Sequence, residues 1–150
     1  MIRICFVCLG NICRSPMAEF IMKDKVKKLG LSDKFYIESR ATSDEEDGND
    51  MYPLAKKMLD SKNISYTRHY AKRLVMSDYS KFDYFICMED SNIRNVSYIF
   101  NDTDNKVVKL LDRDIADPWY TGNFINTYND LVEGIDLLIK RIGWLFFFYW

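Results

Sequence analysis

One histidine, His69, stands among the 150 residues, and the net charge is only -1. A lone histidine argues against a structural zinc site, which takes four Cys or His ligands. The balance of 21 Lys+Arg against 22 Asp+Glu leaves no basic surface for wholesale nucleic-acid binding. No apolar run approaches the roughly 18 residues that a membrane-spanning helix needs. The N-terminus enters a charged, strand-like segment directly, without the basic region and long apolar core of a secretory signal. The four cysteines, Cys5, Cys8, Cys13 and Cys87, are not spaced as a secreted disulfide framework. The expectation is a reducing, cytoplasmic compartment. Repeats and low-complexity tracts are missing before the C-terminus. The Gly-x4-Gly-Lys-Ser/Thr pattern of ATP-type phosphate loops is missing as well.

What is present is a chain of single-domain size, residues 1–150, with 48% hydrophobic residues and so enough apolar mass for a core. Strand-like and helix-like segments alternate. Ile2 to Val7 reads as a buried strand. A helix follows with Pro16 at its first position and a stripe of Ala18, Met22, Val26 and Leu29, ended by Gly30. Phe35 to Ser39 is a second strand, Arg40 to Asp50 a polar, acidic loop, and a short helix carrying Leu54, Met58 and Leu59 starts near Pro53. Phe82 to Met88 is a third strand. Asp90 or Ser91 caps a helix with Ile93, Val96, Ile99 and Phe100. Lys106 to Leu111 is a fourth strand. A loop holds Asp117-Pro118, and a last helix over 126–142 presents Leu131, Ile135, Leu138 and Ile142. This alternation predicts an α/β fold, a parallel sheet covered by helices on both faces. Ligands in such folds sit at the carboxyl ends of the strands, where both the Cys8 and the Asp117 loops fall.

Cys8-Leu9-Gly10-Asn11-Ile12-Cys13-Arg14-Ser15-Pro16 turns from the first strand into the first helix. Such a turn aims backbone N–H groups and the positive end of a helix at one point, an anion site. A thiol held there favours the thiolate and becomes a nucleophile. Arg14 offers planar donors that match two phosphate oxygens at once. Gly10 lets the backbone approach the anion, and Asn11 tolerates the left-handed conformation that curls the loop. Ser15 can donate to the sulfur. Phosphoryl transfer needs positioning and charge stabilisation, and also an acid for the leaving group. Asp117 is the candidate, held extended by Pro118, with Trp119 and Tyr120 as walls for a flat ring.

At these residues the sequence resembles the low-molecular-weight protein tyrosine phosphatases. The run from Cys8 to Glu19 is similar to that family's signature without a gap. His69-Tyr70-Ala71-Lys72, the stretch from Phe82 to Asn92, and Asp117-Pro118-Trp119-Tyr120 also resemble family segments. The resemblance implies a flavodoxin-like, four-stranded parallel sheet and a two-step mechanism through a phosphocysteine, without metal or cofactor. It implies Cys8 as nucleophile, Arg14 as phosphate binder and Asp117 as general acid and base. Leu9, Gly10, Asn11, Ile12 and Cys13 would cradle phosphate beside Trp119 and Tyr120. Ser15 and Asn11 would order the loop, with Ser39 and His69 in the supporting hydrogen-bond network. Cys13 would be a reversible disulfide partner for Cys8. Relatives that act on phosphoarginine tend to carry threonine where Ile12 stands, so Ile12 favours phosphotyrosine proteins or peptides as substrates.

Two segments depart from the family pattern. Asp44-Glu45-Glu46-Asp47 stands where many members place an aromatic wall. It reads either as a solvated loop or as a charged rim on the pocket. The segment Trp144 to Trp150 is wholly apolar. It either packs back onto the protein or serves self-association or a membrane-surface contact. Two rival functions are weaker. Arsenate reduction on the same loop needs a relay of further cysteines, and none follows Cys87. A phosphate-binding module without catalysis would not need Asp117-Pro118 on a second strand-end loop.

Overall fold

In the computed structural model, backbone is described for residues 1–148 and side chains for residues 1–143. The question of what the aromatic segment Trp144 to Trp150 packs against therefore lies outside the described residues. Four parallel strands form one sheet in the order β2-β1-β3-β4. They are β1 (Ile2–Cys8), β2 (Phe35–Ala41), β3 (Tyr84–Cys87) and β4 (Val107–Lys109). The helices are α1 (Arg14–Lys28), α2 (Pro53–Ser61), α3 (Asp90–Ser97), α4 (Pro118–Thr121) and α5 (Phe124–Phe148). The expected parallel α/β architecture is borne out.

Strand β1 is buried on both faces, which is why it reads as a continuous apolar run rather than an alternating one. Ile4, Phe6 and Cys8 face the core shared with α1, α2 and α5. Cys5 and Val7 face the smaller core of Leu74, Phe82, Phe85, Cys87, Val96 and Phe100 on the α3 side. Cys5 and Cys8 have Cys-x-x-Cys spacing, yet the two-residue period of a strand sends them to opposite faces. Both Cys5 and Cys87 are fully buried strand residues.

Element boundaries moved for identifiable reasons. Helix α1 begins at Arg14, two residues before Pro16, so Pro16 is the third helical residue rather than the first. Proline is tolerated there because the first turn has no intrahelical use for its N–H. The helix closes by two hydrogen bonds, Leu31 N–H to Val26 O at 2.7 Å and Gly30 N–H to Lys27 O at 3.1 Å. Gly30 takes φ 72°, the left-handed turn this motif requires. Leu29 is thus outside the helix and 59% exposed, leaving the expected stripe. Met17, Phe20 and Ile21 join the buried set because α1 is enclosed by the sheet and α5. In α2, Ala55 and Leu59 point inward and Leu54 outward. Strands β3 and β4 are shorter than expected at both ends, and β2 extends to Ala41, where it bridges Arg73. Helix α3 is capped at Glu89, not at Asp90 or Ser91, and ends before Ile99 and Phe100. Gly134, in the middle of α5, has a packing reason. A Cβ there would stand 2.4 Å from Leu110 Cγ, so glycine lets the helix lie against the segment after β4.

Strand order reverses direction at β1. The chain passes from β1 outward to β2 on one side, while β3 and β4 lie on the other. The crevice beyond the carboxyl ends of β1 and β3 is therefore the topological switch point where ligands bind in open α/β sheets. Cys8 ends β1, and Glu89 follows β3 by two residues.

Candidate active site

The loop after β1 is held from outside by its carbonyl oxygens. Cys8 O accepts from Thr42 N–H at 2.9 Å, Leu9 O from Ser43 N–H at 3.1 Å, and Ile12 O from Tyr52 N–H at 2.8 Å. Asn11 O faces His69 Nε2 at 2.8 Å. Because a peptide is planar and trans, each outward carbonyl turns the next residue's N–H the opposite way. The amides of Leu9, Gly10, Ile12 and Cys13 are thereby directed to the concave side. That side is a pocket lined by every residue from Cys8 to Arg14, together with Glu45, Glu46, Asp117, Trp119 and Tyr120. A row of inward amides closed by the first turn of α1 is an anion-binding nest.

Asn11 sets the curl. It is fully buried and lies at φ 59°, a conformation Asn adopts at low cost. Its side chain donates to Ser15 Oγ at 2.7 Å and accepts from Lys72 N–H at 3.1 Å. Ser15 Oγ stands 3.0 Å from Cys8 Sγ and 3.5 Å from Arg40 O. The Ser15 oxygen already accepts from Asn11, so its own hydrogen is available to the sulfur, the nearer acceptor. Gly10 has ordinary negative φ, and a Cβ there would make ordinary contacts with Glu46 Cγ at 3.5 Å and Ile12 Cγ1 at 3.8 Å. The protein itself does not require glycine at this position.

Arg14 is 1% exposed. Its Nη1 donates to Glu89 Oε2 at 2.8 Å and to Ile115 O at 2.9 Å, and its Nη2 lies 3.3 Å from Asp117 Oδ2. Burial alone would depress the guanidinium pKa. Interactions with Cys8, Asp117 and Glu89 outweigh burial and raise it, so the side chain stays cationic at the floor of the pocket. Asp117 is extended, φ -78° and ψ 114°, as expected before proline, and caps α4 by accepting from Trp119 N–H at 3.0 Å. Trp119 is braced edge-on against Tyr52 with centroids 4.9 Å apart. The fold thus brings Cys8, Leu9, Gly10, Asn11, Ile12, Cys13, Arg14, Asp117, Trp119 and Tyr120 to one pocket, with Ser15 directly beneath it.

Two expected supports differ in their reach. His69 touches the loop directly. Because a carbonyl only accepts, its Nε2 carries the proton. Ser39 donates instead to Glu19 Oε1 at 2.7 Å, so it ties β2 to α1 and meets the loop only through other residues. Glu89 and the Ile115 carbonyl were not foreseen. The available signal was a carboxylate two residues beyond β3, beside the switch point.

The other thiols are kept protonated. Burial first, then the adjacent Cys8 and Asp117 charges, push the Cys13 thiol well up. Burial and Cys8 raise Cys87 to about 12. Cys8 and Cys13 are both free.

Burial lowers the His69 pKa, against opposing help from its bond to Asn11 O and from Glu19. The folded protein therefore binds a proton here less readily than the unfolded chain. The contribution of the neutral ring is complete above the unfolded value of about 6.5 and is lost as pH falls below it. Urea midpoints of the wild type are expected to drop between pH 7.5 and 5.5. Those of His69→Gln are expected to start lower and fall less.

The family model described as low molecular weight phosphotyrosine protein phosphatase matches residues 3–143. The chain is 34% identical over 148 residues to the low molecular weight protein-tyrosine-phosphatase PtpA of Staphylococcus aureus (strain bovine RF122 / ET3-1), covering 95% of this chain and 94% of the relative. Among solved structures it is similar to SP-PTP, a low molecular weight protein tyrosine phosphatase from Streptococcus pyogenes. There the identity is 40% and the TM-score 0.88, over 94% of this chain and 93% of that one. YfkJ from Bacillus subtilis aligns at 34% identity with a TM-score of 0.92, over 95% of each chain.

Proposed function

The chain belongs to the low molecular weight phosphotyrosine protein phosphatase family, and from that premise we propose that it hydrolyses phosphotyrosine in two steps through a phosphocysteine on Cys8. The observation that carries this reading is the outward turn of four loop carbonyls, which aims four amides at the space above Cys8 Sγ. In that cradle the three non-bridging phosphate oxygens meet the amides and the Arg14 guanidinium. Sulfur is left in line to attack phosphorus. The P–O bond to the tyrosine oxygen breaks as the S–P bond forms, and Asp117 supplies the proton that makes the phenol a leaving group. In the second step Asp117 takes a proton from water, water attacks phosphorus, and the thiolate leaves, accepting a hydrogen bond from Ser15 at 3.0 Å. Charge stabilisation by fixed amides and Arg14 supplies most of the rate. None of these steps calls for a metal or cofactor.

Trp119 and Tyr120 line the same pocket and form walls for the substrate ring. Cys13, buried beside Cys8, serves as the redox partner that shields the nucleophile from irreversible oxidation. The four thiols are free, which suits a reducing cytoplasm. Among the described residues no helix is long and apolar enough to cross a membrane. The whole chain acts as a single phosphatase domain.

Turnover on phosphotyrosine, phosphoserine and phosphoarginine substrates, side by side, tests the substrate class. Phosphotyrosine should be strongly preferred. Equal or faster release from phosphoarginine would overturn the assignment made on Ile12.

Asp117→Asn tests the acid. Asn keeps the cap on Trp119 N–H that alanine would remove, so the helix it starts is preserved. On a series of aryl phosphates the loss is expected to reach about a hundred- to ten-thousandfold for poor leaving groups and to be much smaller for p-nitrophenol. A uniform loss across the series would deny Asp117 the role of acid.

A further inference from the structure

We propose that Glu45 and Glu46 make this enzyme selective for phosphotyrosine flanked by basic residues. The inference rests on reading the Cys8 pocket as the phosphotyrosine site and adds the substrate class that the site prefers.

The acidic run of the loop after β2 divides by partner. Asp47 accepts from Arg73 N–H at 3.1 Å. Asp50 accepts from Met51 N–H at 2.7 Å and His69 N–H at 2.9 Å, and pairs with Lys56 and with Arg68 at 3.2 Å. Both carboxylates hold the loop's backbone in place, and Asp50 is also ion-paired. Glu45 and Glu46 differ, because both line the catalytic pocket. Glu45 is exposed and has no hydrogen-bond or ion-pair partner among the described residues. Glu46 is fixed in place. Its Oε2 accepts from Asn49 Nδ2 at 2.7 Å, and its Cγ packs 3.5 Å from the Cβ position of Gly10. Asp44 is exposed and is not part of the pocket lining.

The pocket lining therefore combines two carboxylates, Glu45 and Glu46, with two aromatic side chains, Trp119 and Tyr120, and Glu45, Trp119 and Tyr120 are exposed to solvent. The lining holds one cation, Arg14, and it lies buried at the floor, already paired with Glu89 and Asp117. A phosphate seated on the loop takes the field of Arg14 and the amides. The residues next to the phosphotyrosine, at the mouth, meet the two carboxylates instead. Acidic neighbours are repelled there, and Lys or Arg neighbours are attracted. The separations are those of exposed groups, so the effect weakens with salt over a screening length of about 10 Å at 0.1 M.

The test uses three phosphotyrosine peptides of equal length with basic, neutral or acidic flanks, and p-nitrophenyl phosphate, which has no flanks. kcat/KM is measured at low and at high ionic strength for the wild type, for the double variant Glu45→Gln/Glu46→Gln, and for Asp44→Asn. The basic peptide should exceed the acidic one by about tenfold at low salt, with the ratio shrinking as salt rises. The double variant should bring the ratio close to one, and Asp44→Asn should retain most of it. The ratio is read within each protein, so a general loss of activity in the double variant does not obscure it. Equal values for the three peptides with wild type at low salt, while p-nitrophenyl phosphate is hydrolysed, would overturn the selectivity and leave the phosphatase reading standing. Failure to hydrolyse p-nitrophenyl phosphate as well would overturn both.

Discussion

Cys8→Ser is expected to reduce turnover of aryl phosphates by about ten-thousandfold or more, the scale on which removal of a covalent nucleophile acts, with the fold intact. Cys8 is buried at the end of β1, with Sγ in contact with Ser15 Oγ. Serine replaces sulfur by a smaller atom of similar geometry and keeps that hydrogen bond. The loop is held by Asn11, His69, Thr42, Ser43 and Tyr52, none of which depends on the sulfur. Phosphate binding and the thermal midpoint should therefore change little while chemistry stops, because an alkoxide is not formed at this site as readily as a thiolate. Measuring kcat together with the phosphate inhibition constant and the midpoint separates the effects. If the serine variant loses turnover and phosphate binding in parallel, Cys8 is holding the loop together rather than attacking phosphorus.

Arg14→Lys is expected to lower kcat by about a hundred- to thousandfold whatever the leaving group, comparable to removing one strong transition-state donor. The guanidinium at present makes one bond to Glu89 and one to the Ile115 carbonyl from Nη1, and pairs with Asp117 through Nη2. That fixes the plane of the fork, so its remaining N–H donors are oriented toward the pocket before substrate arrives. A lysine ammonium is a point charge on a flexible stem and cannot hold Glu89 and two phosphate oxygens in one plane. The charge is conserved, so a loss of this size would be due to geometry. A loss below about tenfold would mean that positive charge alone suffices at this position. Because the interaction strengthens in the transition state, kcat should fall more than KM rises.

Much of this was legible in the sequence because local signals and global topology agree. The apolar run Ile2 to Val7, the turn Cys8 to Pro16 and the Gly30 stop define a strand, a cradle and a helix without reference to the rest of the chain. Asp117-Pro118 is equally local, since proline sets the extended backbone that precedes it. What was not legible depends on distance along the chain. Glu89 meets Arg14 only because β3 lies beside β1 in the sheet, and no periodicity reveals which strand is the neighbour. Ser39 turned toward Glu19 of α1 rather than toward the loop, a choice set by how β2 packs on that helix. Leu29 left its stripe because α1 ends at Lys28, which makes Leu29 the exposed capping residue before the turn at Gly30. The acidic run could be read as solvated or as pocket rim, and only the partners of Asp47 and Asp50 separate its structural half from the half that faces substrate.

The most direct measurement is acid quenching of the enzyme during steady turnover of p-nitrophenyl phosphate, followed by proteolysis and mass spectrometry of the peptide that contains Cys8. A phosphoryl group on the Cys8 sulfur is expected in wild type. Asp117→Asn should accumulate more of it, because this good leaving group departs without the acid while water attack lacks its base. Sustained turnover with Cys8 unmodified, or with the phosphoryl group on another residue, would contradict the covalent route.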